Sequence, residues 1–105
     1  MSGTDEHGIK IQKTSAAQGI SPKELCDNNS NKFQNCWKAL EITYNKFIRT
    51  TDEYHTKSVQ KIFKKLLEQG DIYKHSYTGL YCQGCECFLN EKDLTEDGLC
   101  PCCSL

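Results

Sequence analysis

The sequence lacks a long apolar run, a strong excess of either charge and a leader of the secretory kind. Its 105 residues carry 13 Lys and Arg against 14 Asp and Glu, so the formal net charge is −1. This balance argues against a protein that binds nucleic acid by itself, because such proteins usually show a clear basic excess. No apolar stretch approaches the roughly 20 residues that a membrane span needs, and no charged and then apolar leader opens the chain. We therefore expect no membrane contact and a cytoplasmic location.

The composition is that of a folded chain of modest size. Apolar residues make up 37% of the sequence and charged residues 26%, whereas disordered chains have fewer apolar residues and a larger net charge. The length leaves room for one domain at most, and we find no internal repeat. After Gly70 the helical spacing of apolar residues gives way to short, aromatic segments that favour strands. This change predicts a mainly helical piece at 1–70 and a small β-rich piece at 71–105.

Two helices are predicted in the first half from apolar spacing and from residues that favour helix ends. The first covers 9–18 and is ended by Gly19, because glycine readily adopts a left-handed backbone. The second covers 22–40 and begins at a capping box formed by Ser21 and Glu24.

A third helix is predicted over 51–69, with Thr50 or Thr51 as its N-cap and Gly70 at its end. It follows a short extended segment at 42–49. Its apolar residues recur at the spacing of one helix face. They are Val59, Ile62, Phe63, Leu66 and Leu67.

Two further expectations concern single side chains. Phe33, Trp37 and Phe63 fall at helical spacing, which favours places in the core. Arg49 follows the extended segment, where a solvated surface group is the simpler interpretation. Contact with a phosphate group of a ligand is the alternative for Arg49.

The sequence has 8 cysteines, and six of them lie in its last quarter. Cys82 with Cys85, and Cys100 with Cys103, form two C-x-x-C pairs, which are the usual frame of a tetrahedral Cys₄ zinc site. Four protein ligands close such a site, so the zinc would be structural. A disulfide or a set of idle thiols is the less favoured alternative, since cytosolic thiols stay reduced.

Four cysteines have no assigned role. Cys102 is an alternative fourth ligand to Cys103, but its C-x-C spacing fits a paired knuckle less well. We expect Cys87 and Cys102 to be free thiols beside the site. Cys26 and Cys36 stand alone upstream.

A polar segment bracketed by glycines opens the chain at 3–8, and no strand is predicted before it. Its carboxylates and His7 could bind an amine, a metal or nothing. A helix-capping turn, in which Thr4 or Asp5 accepts backbone N–H bonds, is an equally weighted alternative. No partner for acid–base catalysis by His7 is visible in the sequence.

These segments, in this order, resemble those of the methionyl-tRNA synthetases. The resemblance covers essentially the whole chain, although no single motif decides it. The matching stretches are GTDEHG at 3–8 with KI at 10–11, SPKELCD at 21–27, FIRTT at 47–51 with His55 and Gln60, GDIYK at 70–74, Y-x-G-x-Y-C at 77–82, C-x-x-C-E-x-F-L at 82–89 and C-P-x-C at 100–103.

The resemblance implies a class I aminoacyl-tRNA synthetase, an enzyme that activates methionine with ATP to methionyl-adenylate and then esterifies tRNA(Met). It implies an α/β fold in which 1–70 is part of a Rossmann-like catalytic domain and 71–105 is the zinc knuckle of the connective insertion. It assigns Asp5 to the α-ammonium group of the substrate. It assigns the structural zinc to Cys82, Cys85, Cys100 and Cys103.

Two signatures of that family are missing from this chain: His-Ile-Gly-His and Lys-Met-Ser-Lys-Ser. We therefore expect a piece of the catalytic domain that is inactive alone. With few strands to cover it, the helix at 51–69 should expose its apolar face, which implies a partner, self-association or marginal stability. The alternative is a freestanding structural zinc-binding interaction module without catalysis.

Overall fold

The computed structural model describes residues 1–104, which form two compact units. One unit comprises Met1–Ile72, and the other begins at Tyr73. The first unit holds the three α-helices, and the second holds six of the cysteines. Within residues 1–104, no helix is both long enough and apolar enough to cross a membrane.

Two short parallel strands organise the first unit. Strand β1 (Ser2–Thr4) lies beside β2 (Phe47–Arg49), with Gly3 opposite Ile48. A Cβ atom at Gly3 would collide with the backbone carbonyl of Ile48, so this close approach requires glycine. The expectation that no strand precedes the segment at 3–8 is wrong, since β1 begins at Ser2. Ser2 and Gly3 carry little strand propensity, and the pairing of β1 depends on a partner distant in sequence.

Parallel strands need a long crossover connection, and two helices supply it here. They are α1 (Ile9–Gln18) and α2 (Pro22–Ala39). The predicted end of α1 is confirmed, since Gly19 adopts a left-handed φ of 68°. The predicted start of α2 is also confirmed, because the hydroxyl of Ser21 accepts the backbone N–H of Glu24 at 3.1 Å.

Helix α3 (Glu53–Glu68) begins later than predicted. Its N-cap is Asp52, so the assignment of Thr50 or Thr51 as the cap is wrong. Both threonine hydroxyls instead make hydrogen bonds to the loop that follows β1. The end of α3 agrees with the prediction, because Gly70 follows the last turn with a φ of 83°.

The extended segment predicted at 42–49 is strand only over β2, its last three residues. The turn that ends α2 continues into the segment, because the N–H of Ile42 donates to the carbonyl of Trp37 at 2.9 Å. The strand is also limited by its partner, since β1 has only three residues to offer.

The core of the first unit is small. Among the described residues, its buried apolar side chains are Leu25 and Cys26. The placement of Phe33 and Phe63 in the core is wrong, as they are 49% and 52% exposed. Trp37 is half-buried, and its indole N–H donates to the Ser2 hydroxyl at 3.0 Å. Helical spacing marked apolar faces correctly, but a sheet of two strands leaves most of them uncovered.

The predicted exposure of the apolar face of α3 is confirmed. No residue of this helix is buried. Four apolar side chains on this face are at least half exposed: Val59, Ile62, Phe63 and Leu67.

The second unit is built on an antiparallel pair, β3 (Leu80–Cys82) and β4 (Cys87–Leu89). The ring of Phe88 packs edge-on against Tyr77 and Tyr81, with ring centroids 4.8 and 5.2 Å apart. Cys82 ends β3 opposite Cys87 in the register, and Cys85 lies in the turn between the two strands.

Candidate substrate site and candidate metal centre

The loop after β1 is held against the residue that follows β2. The backbone N–H of Thr50 donates to the carbonyl of Thr4 at 3.2 Å, which extends the strand pairing by one step. The Thr50 hydroxyl accepts the N–H of Glu6 at 3.0 Å and lies 3.5 Å from Oδ1 of Asp5. The ring Nε2 of His7 lies 3.3 Å from the Thr50 carbonyl oxygen. Thr50, the first residue after β2, therefore contacts the last residue of β1 and the three residues that follow it.

An ion pair lies beneath this loop. Arg49 donates from Nε to both carboxylate oxygens of Glu6 at 2.9 Å, and from Nη2 to Oε1 at 2.8 Å. The Glu6 side chain is only 3% exposed, and the hydroxyl of Thr51 donates to its Oε2 at 3.1 Å. The same Nη2 of Arg49 lies 2.7 Å from Oδ1 of Asp27 in α2.

This arrangement shifts the pKa values of Arg49 and Asp27. The hydrogen bonds that Arg49 donates to the carboxylates of Glu6 and then Asp27 raise its pKa above the ordinary value. Hydrogen bonds from Lys23 and then Arg49 lower the pKa of Asp27. The interpretation of Arg49 as a solvated surface group is wrong, because its guanidinium is occupied by two carboxylates.

Cys26 is buried beneath the same loop. Its thiol donates to the backbone carbonyl of Glu6 at 3.6 Å. Burial, followed by the charge of Glu6, raises the pKa of this thiol. A neutral thiol in this position adds packing and a weak hydrogen bond to the underside of the loop.

Asp5 is exposed at the carboxyl end of β1. It borders a cleft of about 230 Å³, which is also lined by Thr4, Ile11 and Phe33. The capping interpretation of this segment is wrong, since the N-cap of α1 is Gly8 and no side chain caps that helix. An exposed carboxylate beside a partly apolar cleft is able to hold a cationic group attached to an apolar one.

The roles of Glu6, Arg49 and Thr50 in this loop were not predicted from the sequence. The signal that relates them is the parallel pairing of β1 with β2, because residues following parallel strands meet at one edge of the sheet. That signal was not readable without recognising β1 as a strand.

Four sulfur atoms converge in the second unit. Those of Cys82, Cys85, Cys100 and Cys103 all lie within 4.8 Å of one another. The sulfur of Cys82 is 3.2 Å from that of Cys103, and the sulfur of Cys85 is 3.7 Å from that of Cys100.

These distances suit a metal better than disulfides. A tetrahedral zinc with Zn–S bonds of ~2.3 Å separates its sulfurs by about 3.8 Å, and a disulfide brings them to ~2.05 Å. None of the eight cysteines, all of which lie among the described residues, forms a disulfide. The N–H of Cys85 also donates to the Cys82 sulfur at 3.4 Å, as backbone groups around thiolate ligands commonly do.

The thiols of the cluster differ in acidity. Backbone hydrogen bonds from Cys102 and then Cys103 lower the pKa of Cys100 to about 6. Hydrogen bonding with the thiols of Cys103 and then Cys100 raises the pKa of Cys85. The cluster includes Cys103 and leaves Cys102 outside it, and Cys87 is likewise exposed and outside.

Parallel strands joined through helices, with polar residues gathered at their carboxyl ends, are typical of nucleotide-binding α/β folds. The chain belongs to the family described as tRNA synthetases class I (M), which matches residues 1–105. The resemblance seen in the sequence is thereby confirmed.

The relatives of the chain are methionine–tRNA ligases. It is 55% identical to that of Clostridium tetani over 98% of this chain and 16% of the relative. It is 46% identical to that of Thermotoga maritima over 98% of this chain and 17% of the relative. The chain therefore spans about a sixth of the length of these proteins.

A solved structure supports the same family. It is a crystal structure of the methionyl-tRNA synthetase of Mycobacterium tuberculosis bound by methionyl-adenylate. The TM-score is 0.88 at 36% sequence identity, covering 97% of this chain and 21% of that one.

Proposed function

We propose that this chain forms part of a methionine–tRNA ligase and contributes to it one wall of the amino-acid site and a structural zinc module. The ligase would activate methionine with ATP to methionyl-adenylate, releasing pyrophosphate, and then transfer the methionyl group to tRNA(Met), releasing AMP. The observation that carries the proposal is an exposed carboxylate, Asp5, whose backbone neighbours are fixed at the carboxyl ends of two parallel strands. The family and the names of the relatives support the reaction.

We assign the α-ammonium group of methionine to the Asp5 carboxylate. The amino group of an aminoacyl-adenylate stays free, because the phosphate is attached through the carboxyl group. A carboxylate is the side chain that best pairs with such a cation. The related structure with methionyl-adenylate bound shows that a relative holds such a ligand.

The first unit is, on this proposal, a piece of a Rossmann-like domain. Ligands of such domains bind beyond the carboxyl ends of the strands, which is where Asp5 lies. The chain by itself would be inactive, since neither the His-Ile-Gly-His nor the Lys-Met-Ser-Lys-Ser signature occurs in it.

The second unit would be the zinc knuckle of the connective insertion. Cys82, Cys85, Cys100 and Cys103 would hold one zinc ion, whose role is to fix the two knuckles to each other. A Cys₄ metal site needs reduced thiols, which supports a reducing compartment, the cytoplasm.

The proposal is tested in a chimera in which this chain replaces the aligned segment of the Clostridium tetani ligase. Asp5→Asn should raise the KM for methionine about 10- to 100-fold in ATP–pyrophosphate exchange, which is the worth of a charge-assisted hydrogen bond. The KM for ATP should stay unchanged.

Asp71→Asn is the matched control, because Asp71 is an exposed aspartate of the same unit. An Asp5→Asn chimera with the same methionine KM as this control would reject the assignment of Asp5. A chimera that folds and binds zinc but never forms methionyl-adenylate would favour the freestanding zinc module.

A further inference from the structure

We propose that Thr50 is a positioning residue, whose hydroxyl group orients the Asp5 carboxylate toward the ammonium group of the substrate. This inference rests on the proposed function of Asp5. It concerns a residue that does not itself touch the substrate in this account, and it follows from the contacts of the Thr50 side chain.

The hydroxyl group has a defined direction in this site. A threonine hydroxyl has one proton to donate and two lone pairs to accept with. It accepts the N–H of Glu6 at 3.0 Å, and that N–H can only donate. Its own proton is therefore available for Oδ1 of Asp5, which is 3.5 Å away and can only accept when ionised.

The residues on either side of Asp5 are also held by contacts that do not involve this hydroxyl. On one side Thr4 belongs to β1 and pairs with Arg49. On the other side the Glu6 carboxylate is held by Arg49 and Thr51. Fixing both neighbours leaves the side-chain torsions of Asp5 as its main freedom, and the Thr50 hydroxyl is the group that restrains them.

The distance of 3.5 Å is long for an O–H···O bond. Catalytic hydrogen bonds are often long before the ligand binds and shorten in the complex. A modest contribution is therefore expected, of the size of one neutral hydrogen bond, and smaller than the effect of removing the Asp5 charge.

Two substitutions separate the hydroxyl from the shape of the side chain. Thr50→Val keeps the shape and removes the hydroxyl, whereas Thr50→Ser keeps the hydroxyl. In the chimera, Thr50→Val should raise the KM for methionine about fivefold, within the range of one hydrogen bond. The KM for ATP should change less than twofold, and Thr50→Ser should restore the KM for methionine to within about twofold of the parent.

A second measurement examines the geometry in the chain itself. The amide N–H resonance of Glu6 should shift upfield in Thr50→Val, since that N–H loses its acceptor, and should stay in place in Thr50→Ser. If Thr50→Val fails to fold, Thr50→Ala carries the same expectation in both measurements.

The possible failures are distinguishable. If Asp5→Asn raises the KM for methionine and Thr50→Val does not, the positioning role is rejected and the function of Asp5 stands. If Thr50→Ser is as impaired as Thr50→Val, the hydroxyl is not the cause and the inference is overturned. If neither Asp5→Asn nor Thr50→Val changes that KM, the proposed function itself fails.

Discussion

At the scale of residues, one buried carboxylate explains how the loop after β1 keeps its shape. Glu6 is almost fully buried, and its charge is compensated by the guanidinium of Arg49 and the hydroxyl of Thr51. A charge buried this far is costly unless it is paired and hydrogen-bonded. The loop therefore has few alternatives to the observed arrangement, in which Asp5 projects beside an anchored neighbour.

Removing the guanidinium should show this cost. We expect Arg49→Met to lower the free energy of unfolding by about 2 kcal/mol, because it leaves the Glu6 carboxylate buried and unpaired. The value is set below the range for fully buried pairs, since the Arg49 side chain is 25% exposed. Urea unfolding followed by the fluorescence of Trp37, the single tryptophan, measures it.

Lys57→Met is the matched control, because it breaks an ion pair with Glu53 in which both side chains are mostly exposed. The free energy of unfolding of Lys57→Met should fall by less than about 0.5 kcal/mol. An equal decrease in the free energy of unfolding of the two variants would mean that the Glu6–Arg49 pair stabilises the fold no more than an exposed ion pair does.

At the scale of elements, signals that act within one turn of the chain were readable from the sequence. Ser21 caps α2 and Gly19 ends α1 because the groups they satisfy lie within a few residues. Thr50 and Thr51 have the same capping chemistry, yet their hydroxyls are used by a loop distant in sequence. The local pattern could not reveal that a loop distant in sequence competes with the helix end for these hydroxyls.

The cysteine knuckles are a second element whose spacing alone indicated their convergence. A C-x-x-C turn is short enough to direct two sulfurs to one point, so two turns define four corners. The spacing left the choice between Cys102 and Cys103 open, because that choice depends on how the last turn folds back. The structure places the sulfur of Cys103 in the cluster.

Zinc binding should follow this division of the cysteines. Native mass spectrometry should find one zinc per chain in the parent and in Cys87→Ser and Cys102→Ser. Cys85→Ser and Cys103→Ser should lose the zinc or bind it far more weakly, because a structural site needs all four ligands.

Chelation of the parent should release the metal and broaden the charge-state distribution, since binding and folding of such modules are coupled. Retention of one zinc by Cys103→Ser together with its loss from Cys102→Ser would move the fourth ligand to Cys102. A parent that carries no metal and a disulfide-shifted mass would reject the zinc proposal.

At the scale of the whole molecule, the apolar face of α3 stays exposed. Periodicity predicted which residues form that face, and a sheet of two strands explains why they stay exposed. The extent of the sheet is a long-range property, and the local pattern of α3 carries no information on it.

Such a face should promote self-association of the isolated chain. Sedimentation velocity should show a concentration-dependent increase in mass, and Ile62→Lys should suppress it, because Ile62 is 62% exposed on this face. Lys61→Gln is the control that changes a neighbouring position without altering the apolar face. A parent that stays monomeric across the concentration range would exclude association through α3.

The central claim is that the carboxyl end of β1 presents Asp5 to the amino group of methionine. The KM for methionine in ATP–pyrophosphate exchange, compared between the Asp5→Asn and Asp71→Asn chimeras, tests it most directly. The account predicts a rise of about 10- to 100-fold for Asp5→Asn alone, with the KM for ATP unchanged. Equal methionine KM values in the two chimeras would contradict the account.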